Sequence, residues 1–307
     1  MSQSRESTWP HADTWLAGGG RKDAAAGLTV LGAPVPRDSK TPGNCDLAPA
    51  AIRQALHRFS TYDLGTGRDL RHLRVKDAGD LNLAGMNPEQ AFQPIRDAVA
   101  AGLKGGNAVV LLGGDSSITL PGVHGLGARL DHCGLITFDG HFGLHGLEAG
   151  LTSANPVRAL LRDGLQGDHI YQIGLQRFAN SEPYAGVARD AGIHVMTADY
   201  VMDHGITKVV QQALGHLHMH VEHIYVDLDL DVLDRIHAPA TPDAQPGGLT
   251  PHQIRRVAHL CGMHPKVRVL DLVEIDPTQD VADITVLTAT ACLLEFASGV
   301  LGRPHHA

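Results

Sequence analysis

The chain has 307 residues, of which 43% are hydrophobic and 19% are charged, and its formal net charge is −8. That composition excludes a fibrous or largely disordered protein and is typical of a globular α/β domain. Because the net charge is acidic and lysine and arginine do not occur in runs, we also exclude nucleic acid and anionic membrane surfaces as partners. Small molecules are the expected partners.

Residues 1–26 show no hydrophobic periodicity, and we interpret them as a loose N-terminal arm before a single domain over residues 27–307. The arm lacks the apolar core of a signal peptide, and no uninterrupted apolar stretch has the length of a membrane span. The four cysteines are scattered without a Cys-x-x-Cys pair, which is typical of thiols in a reducing compartment. We therefore expect a cytoplasmic protein that does not bind membranes.

Short runs rich in valine, isoleucine and leucine alternate with helical patterns along the chain. In order, the runs cover residues 28–33, 108–114, 133–139, 169–175, 222–230 and 266–275. The helical patterns cover residues 47–59, 88–103, 118–129, 156–163, 182–191, 203–219, 251–262 and 284–301. Apolar runs of this length are typical of strands buried on both faces. The alternation predicts a mostly parallel sheet with helices on both faces.

Acidic residues fall at the ends of four of the predicted strands. They are Asp115, Asp139, the series Asp227, Asp229 and Asp231, and Glu274. The carboxyl ends of parallel strands share one edge of the sheet, and the ligand crevice lies beyond that edge. The sequence therefore predicts an acidic site there.

The Asp139-x-His141 pair has a spacing that places both side chains on one side of an extended backbone, where one metal ion can bind them. Asp227, Asp229 and Asp231 repeat that spacing. A lone aspartate at a strand end is usually a helix cap or an ion-pair partner, so a structural acidic cluster is the alternative. Several carboxylates on one side repel each other unless a cation neutralises them, which favours a metal site. Oxygen ligands with one imidazole suit Mn²⁺, and zinc, nickel or iron would also fit.

Several motifs resemble, in order, those of the ureohydrolase family, which contains arginases, agmatinases and formimidoylglutamases. They are LGAPV (31–35), LAPAAIR (47–53), DAGD (77–80), LLGGDSS (111–117), FDGHFG (138–143), YVDLDLDVLDR (225–235) and LVEIDP (272–277). The resemblance covers about residues 28–300 and implies an arginase-like, three-layer α/β/α fold with about eight strands. It also implies a homo-oligomer, because trimers and hexamers are common in the family.

The family resemblance implies a site for two Mn²⁺ ions, of which this chain keeps one complete ligand set. That set is Asp139, His141, Asp229 and Asp231. In the second set, Ser116 stands where the family has histidine, and Gly143 stands where it has aspartate. Asp227 replaces a serine of the family, and we interpret it as a hydrogen-bonding residue behind the ligands. We therefore predict one ion and not two. Replacing Gly143 by aspartate together with Ser116 by histidine would restore the second set, unless Gly143 has a positive φ.

The resemblance also points to a substrate and to residues that act on it. Two segments resemble those of formimidoylglutamases: the loop that ends Ser153-Ala154-Asn155-Pro156, and FANS at 178–181. Formimidoylglutamases cleave N-formimidoyl-L-glutamate to formamide and glutamate. Glu274 would bind the amidinium group by charge-assisted hydrogen bonds, or else form an ion pair with an arginine. Three residues would bind the substrate carboxylates: Ser153, Asn155 and Arg158.

A single ion acidifies water less than a pair of ions does, so a nearby general base is expected. His145 is the first candidate because it lies on the same loop as His141, and His124 and His237 are alternatives. With 20 histidines in the chain, a surface position is the ordinary interpretation of any one of them.

Two other functions stay open from the sequence. One is hydrolysis of another guanidino compound, such as agmatine or guanidinobutyrate. The other, favoured by Ser116 and Gly143, is a non-catalytic relative that keeps the fold for binding or assembly. The complete ligand set for one ion argues against that second alternative.

Overall fold

Eight strands form one parallel sheet in the structure, a computed structural model that describes residues 9–20, 27–36, 43–127 and 129–304. These strands are β1 (Gly27–Gly32), β4 (Arg74–Asp80), β5 (Ala108–Leu112), β6 (Cys133–Phe138), β7 (Ile170–Leu175), β8 (His194–Thr197), β9 (His223–Asp229) and β10 (Val267–Val273). Two short strands, β2 (Tyr62–Asp63) and β3 (Arg68–Asp69), pair antiparallel outside the sheet. The order in the sheet is β4-β1-β5-β10-β9-β6-β7-β8, so the parallel sheet of about eight strands is confirmed.

Helices cover both faces of the sheet, which confirms the three-layer architecture. They are α1 (Ala12–Thr14), α2 (Ala48–Ala55), α3 (Pro88–Gly102), α4 (Thr119–His124), α5 (Pro156–Asp163), α6 (Glu182–Ala191), α7 (Ala198–His204), α8 (Ile206–His220), α9 (Pro251–Met263) and α10 (Ile284–Leu301). Local sequence sets the start of several of them. Asn87 and Thr250 each cap a helix by accepting a backbone N–H three residues on, and proline follows directly.

Alternate residues of the central strands pack on opposite faces of the sheet. In β5, Val109 and Leu111 belong to one hydrophobic cluster, whereas Val110 and Leu112 belong to the other. The first cluster packs under α3, α4, α5 and α6, and the second under α2, α8, α9 and α10. Burying each such side chain contributes roughly 1.5–3 kcal/mol. The strands are apolar on both faces for this reason.

The sequence did not predict the two edge strands, β4 and β8. Each is paired on one side only, and each mixes exposed residues with residues that are partly or fully buried. Such strands lack the apolar run that a doubly buried strand shows. Helix α7 was also not separated from α8, and the break falls at Gly205, whose φ is +82°.

The N-terminal arm is not loose where the structure describes it. Trp15 is buried, and its indole N–H donates to the carbonyl of Leu73. The backbone N–H of Ala12 donates to the carbonyl of Phe59. Residues 9–20 are therefore packed on the domain, which corrects the prediction for this part of the arm. Residues 1–8 and 21–26 lie outside the described residues.

Helix α10 is long and apolar enough to match a membrane span by length and composition, although no uninterrupted apolar stretch reaches that length. Its 18 residues have a mean hydropathy of 1.8, although Glu295 interrupts them. The helix packs against α9 and α2, and 72% of it is buried inside the structure. Length and apolarity alone do not distinguish a membrane span from a core helix, and this burial is that of a core helix.

Candidate metal centre and active site

Four central strands, β5, β10, β9 and β6, end at a cavity of about 670 Å³. β5 and β6 follow each other in the chain but are separated in the sheet by β10 and β9. Such a topological switch point is where open parallel sheets bind their ligands. Six residues at or just after the strand ends line the floor: Ser116, Asp139, His141, Asp229, Asp231 and Glu274. The structure thus brings four of the predicted acidic residues, from three distant motifs, to one place, whereas Asp115 and Asp227 do not line the cavity.

Asp139, His141 and Asp231 form the tightest group in the cavity. One ligand atom from each lies within 4.8 Å of the others. The Nδ1 atom of His141 is 2.7 Å from Oδ2 of Asp231 and 3.5 Å from Oδ1 of Asp139. Backbone N–H groups fix the carboxylates, because Gly140 donates to Asp231 and His141 donates to Asp139. This arrangement can hold one cation.

Asp229, the fourth predicted ligand, lines the same cavity, but its oxygens face other partners. Its Oδ1 accepts the backbone N–H of Asp231, and its Oδ2 accepts the hydroxyl of Ser116 at 2.9 Å. The Ser116 hydroxyl also lies 3.2 Å from Oε1 of Glu274. Ser116 therefore links two carboxylates at the position where the family resemblance implies an imidazole: its hydroxyl donates to Asp229 and its backbone N–H donates to Glu274.

The ionisable groups on the floor respond strongly to one another. Burial and the charge of Asp231 raise the pKa of Asp139 to about 7. Burial opposes the charged form of His141, but Asp231 and Asp139 outweigh it and raise the pKa of that imidazole to about 12. Burial, with the charges of Asp231, Asp139 and Glu274, also raises the pKa of Asp229 well above its usual range. The carboxylates thus strongly favour a positive charge between them.

Asp227 does not line the cavity and forms part of a buried network behind it. It pairs across the strands with Asp271, to which it is hydrogen-bonded, and burial and that neighbour raise the pKa of Asp227 well above its usual range. Asp271 also accepts the hydroxyls of Tyr225 and Thr119. Asp227 therefore supports β9 from behind, the placement expected of a hydrogen-bonding residue that is not a ligand.

Gly143 has a φ of +61°, a left-handed conformation that glycine adopts without steric cost. A Cβ atom added there would lie 3.2 Å from Cγ2 of Val157. The carbonyl of Gly143 accepts the backbone N–H of Arg158, which joins this turn to the start of α5. The backbone therefore disfavours an aspartate at this position.

Glu274 also has a left-handed backbone, with a φ of +62°, and for a non-glycine residue this conformation is strained. Its side chain is buried, and Oε1 accepts the backbone N–H of Ser116 at 2.9 Å. Its backbone N–H donates to the carbonyl of Gly114. Strain of this kind is common at functional sites, and here it directs the carboxylate into the cavity.

Not all of the residues predicted to act on the substrate line the cavity. His145 lines the cavity and stacks on Tyr184, with ring centroids 4.6 Å apart, and Ser153 lines it beside them. Asn155 also lines it, but its amide already donates to the carbonyls of Gly146 and Gly150, so it holds the loop together. Among the described lining residues, Arg158 is absent.

The two alternative bases lie elsewhere. His124 is at the end of α4, where its Nε2 is 3.0 Å from Asp163. His237 follows β9, and its backbone N–H donates to the carbonyl of Asp234. Neither is among the described residues that line the cavity.

Several lining residues were missed by the sequence analysis. They are Asn180, Ser181, Tyr184 and Asp243. Asn180 fixes the loop that carries His141, because its side chain accepts the N–H of Phe142 and donates to the carbonyl of Gly140. The FANS motif at 178–181 was the available signal for the first two, whereas no pattern marked Tyr184 or Asp243.

The donor set fits a divalent cation. Four buried carboxylates meet on the floor, and the described residues that line the cavity include no lysine or arginine. Gathering buried carboxylates is costly unless a cation or protons compensate them. A cation held by oxygen atoms and one imidazole compensates them, and Mn²⁺ suits these donors.

Comparison with known proteins gives a consistent result. The model of the arginase family matches residues 26–298. A formimidoylglutamase of Halalkalibacterium halodurans is 33% identical over 277 residues, which cover 89% of this chain and 87% of that one. The crystal structure of formimidoylglutamase from Bacillus subtilis superposes with a TM-score of 0.91 and 26% identity, covering 99% and 96% of the two chains. A Trypanosoma cruzi formiminoglutamase with Mn²⁺ has the same fold, with a TM-score of 0.86, 23% identity and coverage of 96% and 100%.

Proposed function

The chain belongs to the arginase family of hydrolases, and from this membership we propose that it hydrolyses N-formimidoyl-L-glutamate to formamide and L-glutamate. The observation that carries the proposal is the likeness to formimidoylglutamases along nearly the whole chain. In this reaction the oxygen of water bonds to the formimidoyl carbon. The bond from that carbon to the glutamate nitrogen breaks, and the nitrogen takes a proton.

Asp139, His141, Asp229 and Asp231 would hold one Mn²⁺ ion on the floor of the cavity. The charge imbalance of the floor supports this proposal, as does the interruption of a second ligand set by Ser116 and Gly143. When bound, such an ion acidifies water and so supplies hydroxide near neutral pH. Zinc, nickel or iron would also suit the donors.

Glu274 would bind and orient the amidinium group of the substrate. The backbone N–H of Ser116 donates to Oε1 of this carboxylate at 2.9 Å, so the group is fixed before the substrate arrives. A fixed carboxylate forms charge-assisted hydrogen bonds with an amidinium N–H without a further ordering cost. His145, stacked on Tyr184 at the wall, is the proposed general base, which would take a proton from water and pass it to the leaving nitrogen.

The glutamate end of the substrate would lie where two helices begin. Residues just before α5 and at the start of α6 line the cavity, including Ser153 and Ser181. Helix N-termini carry a partial positive charge and free backbone N–H groups, which favour carboxylates. Both serine hydroxyls can donate to the same groups. These donors take the role for which Arg158 was predicted.

Asp243 favours a second candidate, a guanidino substrate with a cationic tail such as agmatine. This residue lines the cavity, and the described lining residues include no lysine or arginine to attract an anion. A carboxylate at the wall would attract an ammonium group. The two candidates therefore predict opposite charge preferences for the outer half of the cavity.

An assay panel with Mn²⁺-loaded protein tests the proposal and separates the two candidates. Formamide release from N-formimidoyl-L-glutamate is compared with urea release from agmatine and from 4-guanidinobutyrate. We expect kcat/KM for formimidoylglutamate to be larger by at least about tenfold. Replacing both Ser153 and Ser181 by alanine should raise its KM, whereas the control Ser60→Ala should not. A preference for agmatine would overturn the assignment and leave the family membership intact.

Two further expectations remain proposals. We propose that the protein acts in the cytoplasm and that it assembles as a homo-oligomer, either a trimer or a hexamer. Light scattering coupled to size-exclusion chromatography measures the mass of the assembly. A monomer at micromolar concentration would contradict the second proposal.

A further inference from the structure

A second group of metal-binding side chains lies at the opposite edge of the sheet, where β7 and β8 begin. Asp168 belongs to the turn before β7, His194 is the first residue of β8, and His216 lies on α8. The six residues of β7 separate this edge from the cavity, which is about 20 Å at 3.3 Å per residue. None of the three residues lines the cavity or belongs to the motifs of the family resemblance.

The three side chains converge on one point. The Nε2 atom of His194 is 2.9 Å from Oδ1 of Asp168, and Nε2 of His216 is 3.8 Å from Oδ2 of the same carboxylate. One ligand atom from each residue lies within 4.8 Å of the others. Around a tetrahedral ion with bonds of about 2.0–2.1 Å, ligand atoms are roughly 3.3–3.4 Å apart. The observed separations bracket that value, so small rotations of the side chains would complete the geometry.

Further imidazoles surround this group. His220 lies one helical turn after His216, with the two ring centroids 4.3 Å apart, and His169 follows Asp168 directly. The Nδ1 atoms of His169 and His216 are buried without a hydrogen-bond partner in the part of the chain that the structure describes. The polar atoms of the group are therefore not all satisfied by the protein.

The charge state of the group is also suited to metal binding. Burial and the neighbouring imidazole of His220 lower the pKa of His216, and His194 and His169 add to this effect. Asp168 acts in the opposite direction. A lowered pKa increases the neutral fraction of the imidazole, and the neutral form is the one that binds metals.

The ordinary interpretation is a structural one. His194 pairs with Asp168, and its ring stacks on Tyr171 at a centroid distance of 4.2 Å. That interpretation explains one imidazole. It does not explain why His216, on a different element, presents its Nε2 to the second oxygen of the same carboxylate.

We propose that Asp168, His194 and His216 bind one divalent transition-metal ion, separate from the ion of the active site. Two imidazoles and a carboxylate favour zinc, nickel or cobalt over magnesium or calcium. Three protein ligands leave one position to water. Because the ligands come from a turn, a strand and a helix, the ion joins α8 to the edge of the sheet.

Zinc binding to a protein that lacks the active-site ligands His141 and Asp229 tests this proposal. The chain with both His141→Ala and Asp229→Ala is dialysed against micromolar Zn²⁺, and the metal is counted by elemental analysis. We expect about one bound ion per chain and a melting temperature raised by about 5 °C at a hundredfold excess over Kd. Modification of histidines by diethylpyrocarbonate, mapped by mass spectrometry, should show protection of His194 and His216 by the ion.

Paired variants decide the outcome. His194→Ala with His216→Ala should lose the ion, and Asp168→Asn, which keeps the size of the side chain, should weaken binding at least tenfold. His218→Ala, on the same helix but outside the group, should bind as the parent does. The parent binding no zinc, His194 and His216 staying unprotected, or His218→Ala losing as much metal as the double variant would each overturn the proposal. Failure here leaves the proposed hydrolase activity untouched, because the assay panel does not depend on these residues.

Discussion

The two ends of the parallel strands carry metal-binding side chains that differ in two ways: in the ratio of carboxylates to imidazoles and in their exposure to solvent. At the carboxyl edge, carboxylates outnumber the single imidazole, and the side chains of Asp139 and Asp231 are only 12% and 5% exposed. At the other edge, imidazoles outnumber the carboxylate of Asp168, which is 63% exposed. Buried carboxylates without a cation cost several kcal/mol, whereas partly exposed neutral imidazoles cost less. Burial therefore favours a cation strongly at the first site and only weakly at the second.

Removing Asp229 should give the largest effect and the sharpest contrast between the edges. Asp229→Ala removes a proposed ligand and the carboxylate that accepts the hydroxyl of Ser116. We expect kcat/KM to fall by at least about 10³-fold and the active-site ion to be lost. The matched change at the other edge, His194→Ala, should leave kcat/KM within about twofold. Equal activity of the two variants would refute the metal mechanism.

Replacing Glu274 by glutamine separates substrate binding from metal binding at the buried edge. Glutamine keeps an oxygen for the N–H of Ser116 but loses the charge that the amidinium would meet. The loss of one charge-assisted interaction predicts a fall of about 10–100-fold in kcat/KM with the ion content unchanged. The control Glu295→Gln removes a charge that pairs with Arg255, away from the cavity. A Glu274→Gln variant with normal kcat/KM would exclude Glu274 from amidinium binding.

Gly143→Asp tests whether the buried edge can accept a second ion. Because φ is +61° and Val157 lies close, we expect no gain in bound Mn²⁺ and a loss of about 1–2 kcal/mol in the free energy of unfolding. Gly85→Asp is the control for backbone strain alone, because the φ of Gly85 is +74° and nothing lies within 4 Å of the added Cβ. A second ion measured in Gly143→Asp, alone or with Ser116→His, would show that the backbone rearranges.

The smallest expected effect concerns acid stability next to the histidine-rich edge. Burial lowers the pKa of His264 to about 4, below the value of about 6.5 in an unfolded chain. Between these values the unfolded chain binds a proton that the folded chain does not, so stability present above pH 6.5 is lost as the pH falls toward 4. His264→Gln should therefore make urea unfolding less dependent on pH between 7 and 5. If metal-free His264→Gln keeps the same pH dependence of urea unfolding, the loss of stability in acid originates elsewhere, for example among the other histidines near the start of β7 and β8.

The sequence was sufficient for the central strands and for the floor of the cavity. Apolar runs such as residues 108–114 mark strands buried on both faces, and the aspartates that follow them lie in contiguous motifs. Asp139 and His141 are two residues apart, so a local pattern was enough to pair them. The edge strands escaped detection because one paired side and partial exposure leave a mixed pattern.

The wall of the cavity could not be predicted in the same way. Tyr184 and Asp243 come from separate helices and loops, and their place depends on tertiary packing that no local spacing encodes. The hydrogen bonds of Asn155 could not be predicted for a similar reason, because its side-chain amide donates to loop carbonyls that no sequence pattern connects to it. The left-handed backbone at Glu274 likewise depends on contacts made across the sheet, such as its N–H to Gly114.

The position of β10 in the middle of the sheet has a consequence for the order in which the protein can fold. Glu274, which follows β10, meets Ser116 across 158 residues of sequence, and β5 and β9 both need β10 as a neighbour. During synthesis, β5 therefore leaves the ribosome long before its partner, and its edge stays open to wrong pairing. Contacts of such long range close slowly, so the catalytic floor is among the last parts to assemble. A nascent chain that ends before residue 267 should need protection by chaperones and should lack the amidinium site altogether.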